Sequence, residues 1–136
     1  MTYRSVFEED ETVYALDSVG ENIFIADKEH RLVWMNQYAQ NLIDDIAADL
    51  HIGGHQDLIG HNIGRFHRDP QHQARILRNG PFPHRAQIKL GKYTARIIVT
   101  EYRNKEKEVK GYILIWQDVT KEEAQKKEEQ KRFMLG

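Results

Sequence analysis

The apolar residues of the chain follow two different periods, and the changes between them mark the predicted elements. Residues 13–19 carry apolar side chains at helical spacing, which predicts a short amphipathic helix that ends near residue 20. The period then shortens to two residues. The runs 22–26 and 32–35 therefore predict two strands of a β-hairpin joined by a turn without glycine.

A second helical pattern follows the hairpin. Asn36 is a favourable N-cap, and apolar residues at helical spacing predict a helix over 38–50. Segment 51–64 holds four glycines and predicts a loop with one turn of helix at 57–59. Segment 70–79 begins with a proline, which is common in the first turn of a helix, and its apolar residues predict another short helix.

The last third of the chain alternates between apolar and polar residues. Segments 84–91, 93–100 and 112–117 each have one apolar face, which is typical of an antiparallel sheet with helices packed on one side. Segment 120–136 predicts a helix that starts with a capping box, Thr120 with Glu123. Because that helix is charged almost all round, we expect it to project from an α+β domain and to connect it to another module.

Composition narrows the functional classes. The chain has 136 residues and a net charge of −1, so it suits one domain and shows no basic excess for nucleic acid or an anionic membrane. It has no cysteine, which excludes disulfides and thiolate metal sites, and a cytoplasmic location is expected. No secretory signal, membrane-spanning run or catalytic motif is recognisable, so we expect a protein that is not an enzyme.

The order of the predicted elements resembles that of a PAS domain. Part of this resemblance lies in the hairpin and the helix that follows it, residues 22–43 (NIFIADKEHRLVWMNQYAQNLI). The closing strand carries the rest, because it ends in an Asp-x-Thr junction formed by Asp118, Val119 and Thr120. The resemblance implies a five-stranded antiparallel sheet with helices on one face, preceded by an N-terminal helix. It assigns 1–11 to a lead-in, 12–120 to the sensor domain and 121–136 to the start of a signalling helix.

A narrower resemblance involves the histidines of GRFHRDPQHQARIL, residues 64–77. Together with PHRAQIKLG, residues 83–91, this segment is similar to the haem-binding PAS domains of soluble, chemotaxis-receptor-like oxygen sensors. The resemblance implies haem b as cofactor, His67 as its iron ligand and Trp116 on the opposite, gas-binding side. His72 is the alternative ligand, or lies on the surface or near a haem propionate. The gas bound to the iron would be O₂, with CO and NO as alternatives.

The residue chemistry agrees with these implied roles. Imidazole is a common donor to haem iron, and an indole N–H can only donate, which suits a partly anionic bound gas. A flat porphyrin also requires an apolar slot. The predicted inward faces of the strands supply residues for it: Ile23, Ile25, Ile88, Leu90, Ile97, Val99 and Leu114.

One other interpretation of the sequence stays open, and a second one is disfavoured. A PAS domain without haem could serve as a dimerisation or small-ligand module, with bulky side chains filling the slot. With or without haem, we expect the chain to form a homodimer. We also expect it to pass its signal to a downstream signalling domain through Asp118 and Thr120. A zinc site at His51, His55 and His61 is disfavoured, since glycines break the helix that would align them and no carboxylate has suitable spacing.

Overall fold

The structure is a computed structural model that describes residues 11–62, 71, 75, 78–90 and 92–135. Within these residues three α-helices, one 3₁₀ turn and five strands have defined ends. In chain order these are α1 (Glu11–Ser18), β1 (Asn22–Asp27), β2 (Leu32–Met35), α2 (Gln37–Ile46), the 3₁₀ turn (His55–Asp57), β3 (His84–Leu90), β4 (Tyr93–Arg103), β5 (Val109–Asp118) and α3 (Thr120–Leu135). Residues 71, 75, 78 and 79 are also helical.

The five strands form one antiparallel sheet in the order β2-β1-β5-β4-β3. The predicted α+β class and five-stranded antiparallel sheet are thereby confirmed. One face of the sheet packs against α2 and the segment around Leu58, and a continuous apolar core lies between them. Among the described helices, none is long and apolar enough to cross a membrane.

Strand β1 faces the opposite way from the sequence prediction. Phe24 pairs with Leu114 and Ala26 pairs with Tyr112, so these residues share the core face of the sheet. Ile23 and Ile25, which we expected to face inward, alternate with them and lie on the other face, where both are also buried. Because β1 is buried on both faces, its apolar pattern does not indicate which face meets α2.

Asn36 links three elements at the start of α2. Its side chain accepts hydrogen bonds from the backbone N–H groups of Ile23 (3.1 Å) and Ala39 (2.9 Å). It donates to the carbonyl groups of Leu16 (3.2 Å) and Glu21 (2.8 Å). The residue is completely buried, so the predicted N-cap also joins α1 and β1 to α2.

Helix α2 ends earlier than predicted. It stops at Ile46, and residues 47–50 form turns in place of the expected helix to residue 50. His51 adopts a positive φ of 59°, and the Ile52 N–H donates to the Ala47 carbonyl at 3.0 Å, which closes the end of the helix. The helical turn predicted at 57–59 occurs two residues earlier, as the 3₁₀ turn.

Candidate functional site

The core face of the sheet forms one wall of the candidate site. Ile97, Val99 and Leu114 are buried there, and Ile88 packs against them from β3. The backbone of Leu90 pairs with Tyr93 at the end of β3. A small cavity of about 10 Å³ opens in this region between α2, β4 and β5. Its walls are built from Leu42, Ile46, Tyr93, Ala95, Trp116, Gln117 and Asp118.

Trp116 provides an unusual polar group in this apolar setting. Its indole ring lies 4.8 Å from the ring of Phe24, measured between centroids, and it lines the cavity. The indole Nε1 is buried and has no hydrogen-bond acceptor among the described residues. A buried N–H without a partner costs about 1–3 kcal/mol, so an acceptor that reached the indole N–H would relieve that cost.

Both candidate iron ligands, His67 and His72, lie outside the described residues. The chain is nevertheless anchored on either side of their segment. Before it, the Gly60 N–H donates to the Leu32 carbonyl at 2.7 Å, and the Leu32 N–H donates to the His61 carbonyl at 2.9 Å. After it, the ring of Phe82 lies 5.9 Å from that of Tyr112 in the core.

Three side chains form a polar cluster at the edge of the cavity. The Tyr93 hydroxyl donates a short hydrogen bond to the carboxylate of Asp45 on α2. The Lys92 ammonium lies 3.4 Å from that carboxylate and 5.3 Å from the centre of the Tyr93 ring. The hydrogen bond from Tyr93 lowers the pKa of Asp45, and it raises the pKa of Tyr93. At neutral pH the pair is therefore a phenol that donates to a carboxylate.

The Asp-x-Thr junction ties α3 to β4 as well as to β5. The Thr120 hydroxyl donates to the Asp118 carboxylate at 2.6 Å and accepts from the Thr94 N–H at 2.9 Å. The Val119 N–H donates to the Thr94 carbonyl at 2.9 Å, and the Val119 side chain is buried. The hydroxyl predicted to act in a capping box with Glu123 thus bonds across to the neighbouring strand, which fixes the start of α3 on the sheet.

His51, His55 and His61, the three histidines of segment 51–64, lie at two separate places in the structure. His51 and His61 line a surface groove together with Asp57, whose carboxylate accepts the Gly53 N–H at 2.7 Å. His55 is bound instead to Asp44, which accepts from its backbone N–H at 2.9 Å. Among the described residues, no group of three or more potential ligands could hold a metal ion.

Sequence reasoning missed several residues of this site. Phe24 was assigned to the opposite face, while Leu42 and Ile46 were assigned only to a helix. Asp45 and Tyr93 are 48 positions apart, and no local pattern connects them. A partial signal existed for Tyr93, because it begins the inward face of its predicted strand.

Comparison with known proteins relates the chain to chemoreceptors. It is 31% identical over 118 residues to the methyl-accepting chemotaxis protein McpB of Pseudomonas aeruginosa. The match covers 84% of this chain and only 17% of that receptor. No protein-family model matches the chain.

Solved structures share the fold. The Aer2 receptor of Vibrio cholerae, a dual PAS-haem oxygen sensor, superposes with a TM-score of 0.66 at 26% identity, over 74% of this chain and 95% of that one. The PAS domain of BvgS from Bordetella pertussis gives 0.58 at 17% identity, over 90% and 98%. An RNA-binding light-oxygen-voltage receptor gives 0.64 at 17% identity, over 92% and 37%.

Proposed function

Because the chain is a PAS domain, we propose that it is the sensory domain of a chemoreceptor-like signalling protein. In this proposal the domain binds haem b and detects a diatomic gas. Oxygen is the leading candidate, with CO and NO as alternatives. The proposed iron ligand is His67, and the gas would be held on the side of Trp116. The sensory role is supported by the similarity to a chemotaxis receptor and to a PAS-haem oxygen sensor.

One observation carries the proposal, namely the buried Trp116 Nε1 that has no acceptor in the described part of the chain. A buried donor on a side chain that lines an apolar cavity fits a small ligand that accepts one hydrogen bond. Oxygen would be such a ligand, since it could accept the hydrogen bond that the indole N–H donates. Carbon monoxide is less polar and would gain less from the same donor.

The residues around Trp116 fit a haem group in chemical character. Ile97, Val99 and Leu114 offer an apolar wall. Haem would supply an iron centre that binds diatomic gases reversibly. The protein would supply His67 on one side, the apolar wall around the porphyrin, and the indole N–H as the discriminating donor.

Signal output would pass through the junction at the end of β5. Trp116 precedes Asp118 by two residues, so a change in the hydrogen bonding of the indole would reach Asp118 and Thr120 through one short stretch of strand. Their bonds to each other and to Thr94 would then transmit the change to α3. A downstream signalling domain and a second copy of this chain are the proposed partners.

The first experiment is a visible absorption spectrum with a haemin titration of the purified protein. We expect a Soret band that shifts under CO after reduction, and saturation at one haemin per chain. A colourless protein that does not take up haemin would refute the proposal. A flavin spectrum would do the same and would align the chain with the light-oxygen-voltage relatives.

Trp116→Phe tests the donor directly. The phenyl ring keeps the contact with Phe24 but lacks the N–H, so O₂ affinity should fall by about tenfold, while CO affinity changes much less. In the haem-free protein the same change should lower the free energy of unfolding by less than about 2 kcal/mol, because removal of the unpaired donor offsets part of the cost of the cavity that the smaller ring leaves.

Gas titrations of the reduced protein and urea unfolding of the haem-free protein provide these two measurements. Trp34→Phe is the matched control, since it makes the same change at the other tryptophan of the chain. Equal losses of O₂ and CO affinity in Trp116→Phe would mean that the indole only packs.

A second candidate function is a haem-free interaction or small-ligand module. The small size of the cavity favours it, since about 10 Å³ is roughly the space that one water molecule needs. Failure of the haemin titration in a protein that unfolds cooperatively in urea would support this function, because the domain would then be folded without haem.

A further inference from the structure

Helix α2 and strand β4 meet at the edge of the Trp116 cavity through one pair of side chains. Tyr93 lines the cavity with its ring, while its hydroxyl reaches the carboxylate of Asp45 on the outside. Leu42 and Ile46, which flank Asp45 on α2, line the same cavity. The aromatic ring therefore stands between the cavity interior and the exposed surface of the helix.

We propose that Tyr93 is a gate for small ligands, held closed by its hydrogen bond to Asp45, and that it controls access to the Trp116 indole. The inference rests on the proposed function only for the identity of the incoming ligand, a diatomic gas. Opening requires the hydroxyl to leave the carboxylate and the ring to swing away from Leu42 and Ile46.

The hydrogen bond between Tyr93 and Asp45 favours the closed state of the gate but can be broken. The Asp45 carboxylate accepts from Tyr93 and lies 3.4 Å from the Lys92 ammonium, so a charged acceptor remains in place at neutral pH. Asp45 and Lys92 are exposed, so water can replace the phenol as donor to Asp45. A bond of this kind favours the closed state but breaks readily, as a gate requires.

The gate residue adjoins the output junction. Tyr93 immediately precedes Thr94, whose N–H donates to the Thr120 hydroxyl and whose carbonyl accepts from Val119. Movement of Tyr93 therefore acts on the backbone that holds the start of α3. Ligand access and signal output share this corner of the sheet.

Oxygen itself can probe the gate in haem-free protein, because dissolved O₂ quenches tryptophan fluorescence on contact. A Trp34→Phe background leaves Trp116 as the single tryptophan. In that background, Tyr93→Phe should raise the oxygen quenching constant of Trp116 by about three- to tenfold, as expected for the loss of one hydrogen bond to a charged acceptor. Asp45→Asn should give a smaller rise in the same direction, since the acceptor keeps its shape but loses its charge.

Tyr38→Phe is the matched control, because Tyr38 lies on α2 with 47% of its surface exposed and does not line the cavity. It should leave the quenching constant unchanged. Unchanged quenching in both Tyr93→Phe and Asp45→Asn would overturn the gate. An equal rise in Tyr38→Phe would also overturn it, because the helix would then be loosened in general.

A second readout applies to haem-loaded protein. Flash photolysis of the CO complex should show association and dissociation accelerated by the same factor in Tyr93→Phe, with the equilibrium affinity unchanged, because a gate alters rates alone. A change in affinity without a change in the association rate would contradict the gate. If the protein binds no haem, the quenching experiment still decides the gate, so the two proposals can fail separately.

Discussion

His67→Ala is expected to yield protein without haem, whereas His72→Ala retains it. Removal of the ligand imidazole should lower haemin affinity at least about a hundredfold. Loss of a residue that only hydrogen-bonds to a metal ligand already lowers metal affinity about 10- to 100-fold. Haemin titration followed at the Soret band measures both variants. Free imidazole in the buffer should restore part of the binding to His67→Ala, because it can occupy the space left by the side chain.

The reverse result would assign the ligand to His72, which is the alternative that the sequence leaves open. Loss of haem in both variants without rescue by imidazole would indicate that the segment folds poorly when altered. Circular dichroism and urea unfolding of each haem-free variant separate that case. Loss of haem in neither variant would refute histidine ligation from this segment.

Asn36→Ala should cause the largest loss of stability that the described structure suggests. The change removes the side-chain partner of the Ile23 and Ala39 N–H groups and of the Glu21 carbonyl. The Leu16 carbonyl loses one of its two donors and keeps the Val19 N–H at 3.3 Å. Because the site is completely buried, water cannot replace the amide without rearrangement. We expect the free energy of unfolding to fall by about 3–4 kcal/mol, a large share of the 5–15 kcal/mol typical of a domain.

Urea unfolding followed by circular dichroism measures this loss. Asn41→Ala is the matched control, since Asn41 is exposed on the same helix and accepts one hydrogen bond from Gln37 at 3.0 Å. It should change the free energy of unfolding by less than about 0.5 kcal/mol. A loss below about 1 kcal/mol in Asn36→Ala would show that the four bonds are replaced after substitution.

The sheet and its element order could be predicted from the sequence because most strands have one apolar face. Strands β3 and β4 alternate in burial as predicted, with Arg85, Gln87 and Lys89 exposed. Strand β1 was predicted with the wrong face inward, because both of its faces are buried and only its register with β5 decides between them. The end of α2 was also wrong, since apolar spacing continues to Leu50 while the backbone turns.

Only those residues of the candidate site whose own chemistry or position is distinctive could be predicted from the sequence. Trp116 stands out because an indole on an inward strand face combines bulk with a donor, although its lack of an acceptor is a property of the packed core. Asn36 was predicted as an N-cap, but its bonds to Leu16, Glu21 and Ile23 depend on tertiary contacts. Pairs such as Asp45 with Tyr93 arise from the docking of a helix on a strand.

The anchored base of α3 makes the helix a lever. Its 16 residues span ~24 Å, so a tilt of ~5° at the junction displaces the far end by ~2 Å. Since the Thr94 backbone bonds to both Val119 and Thr120, the helix pivots with the corner of the sheet and cannot slide independently of it. Motions too small to disturb the core would therefore become displacements of atomic size at the distal tip, where Phe133 and Met134 are about nine-tenths exposed.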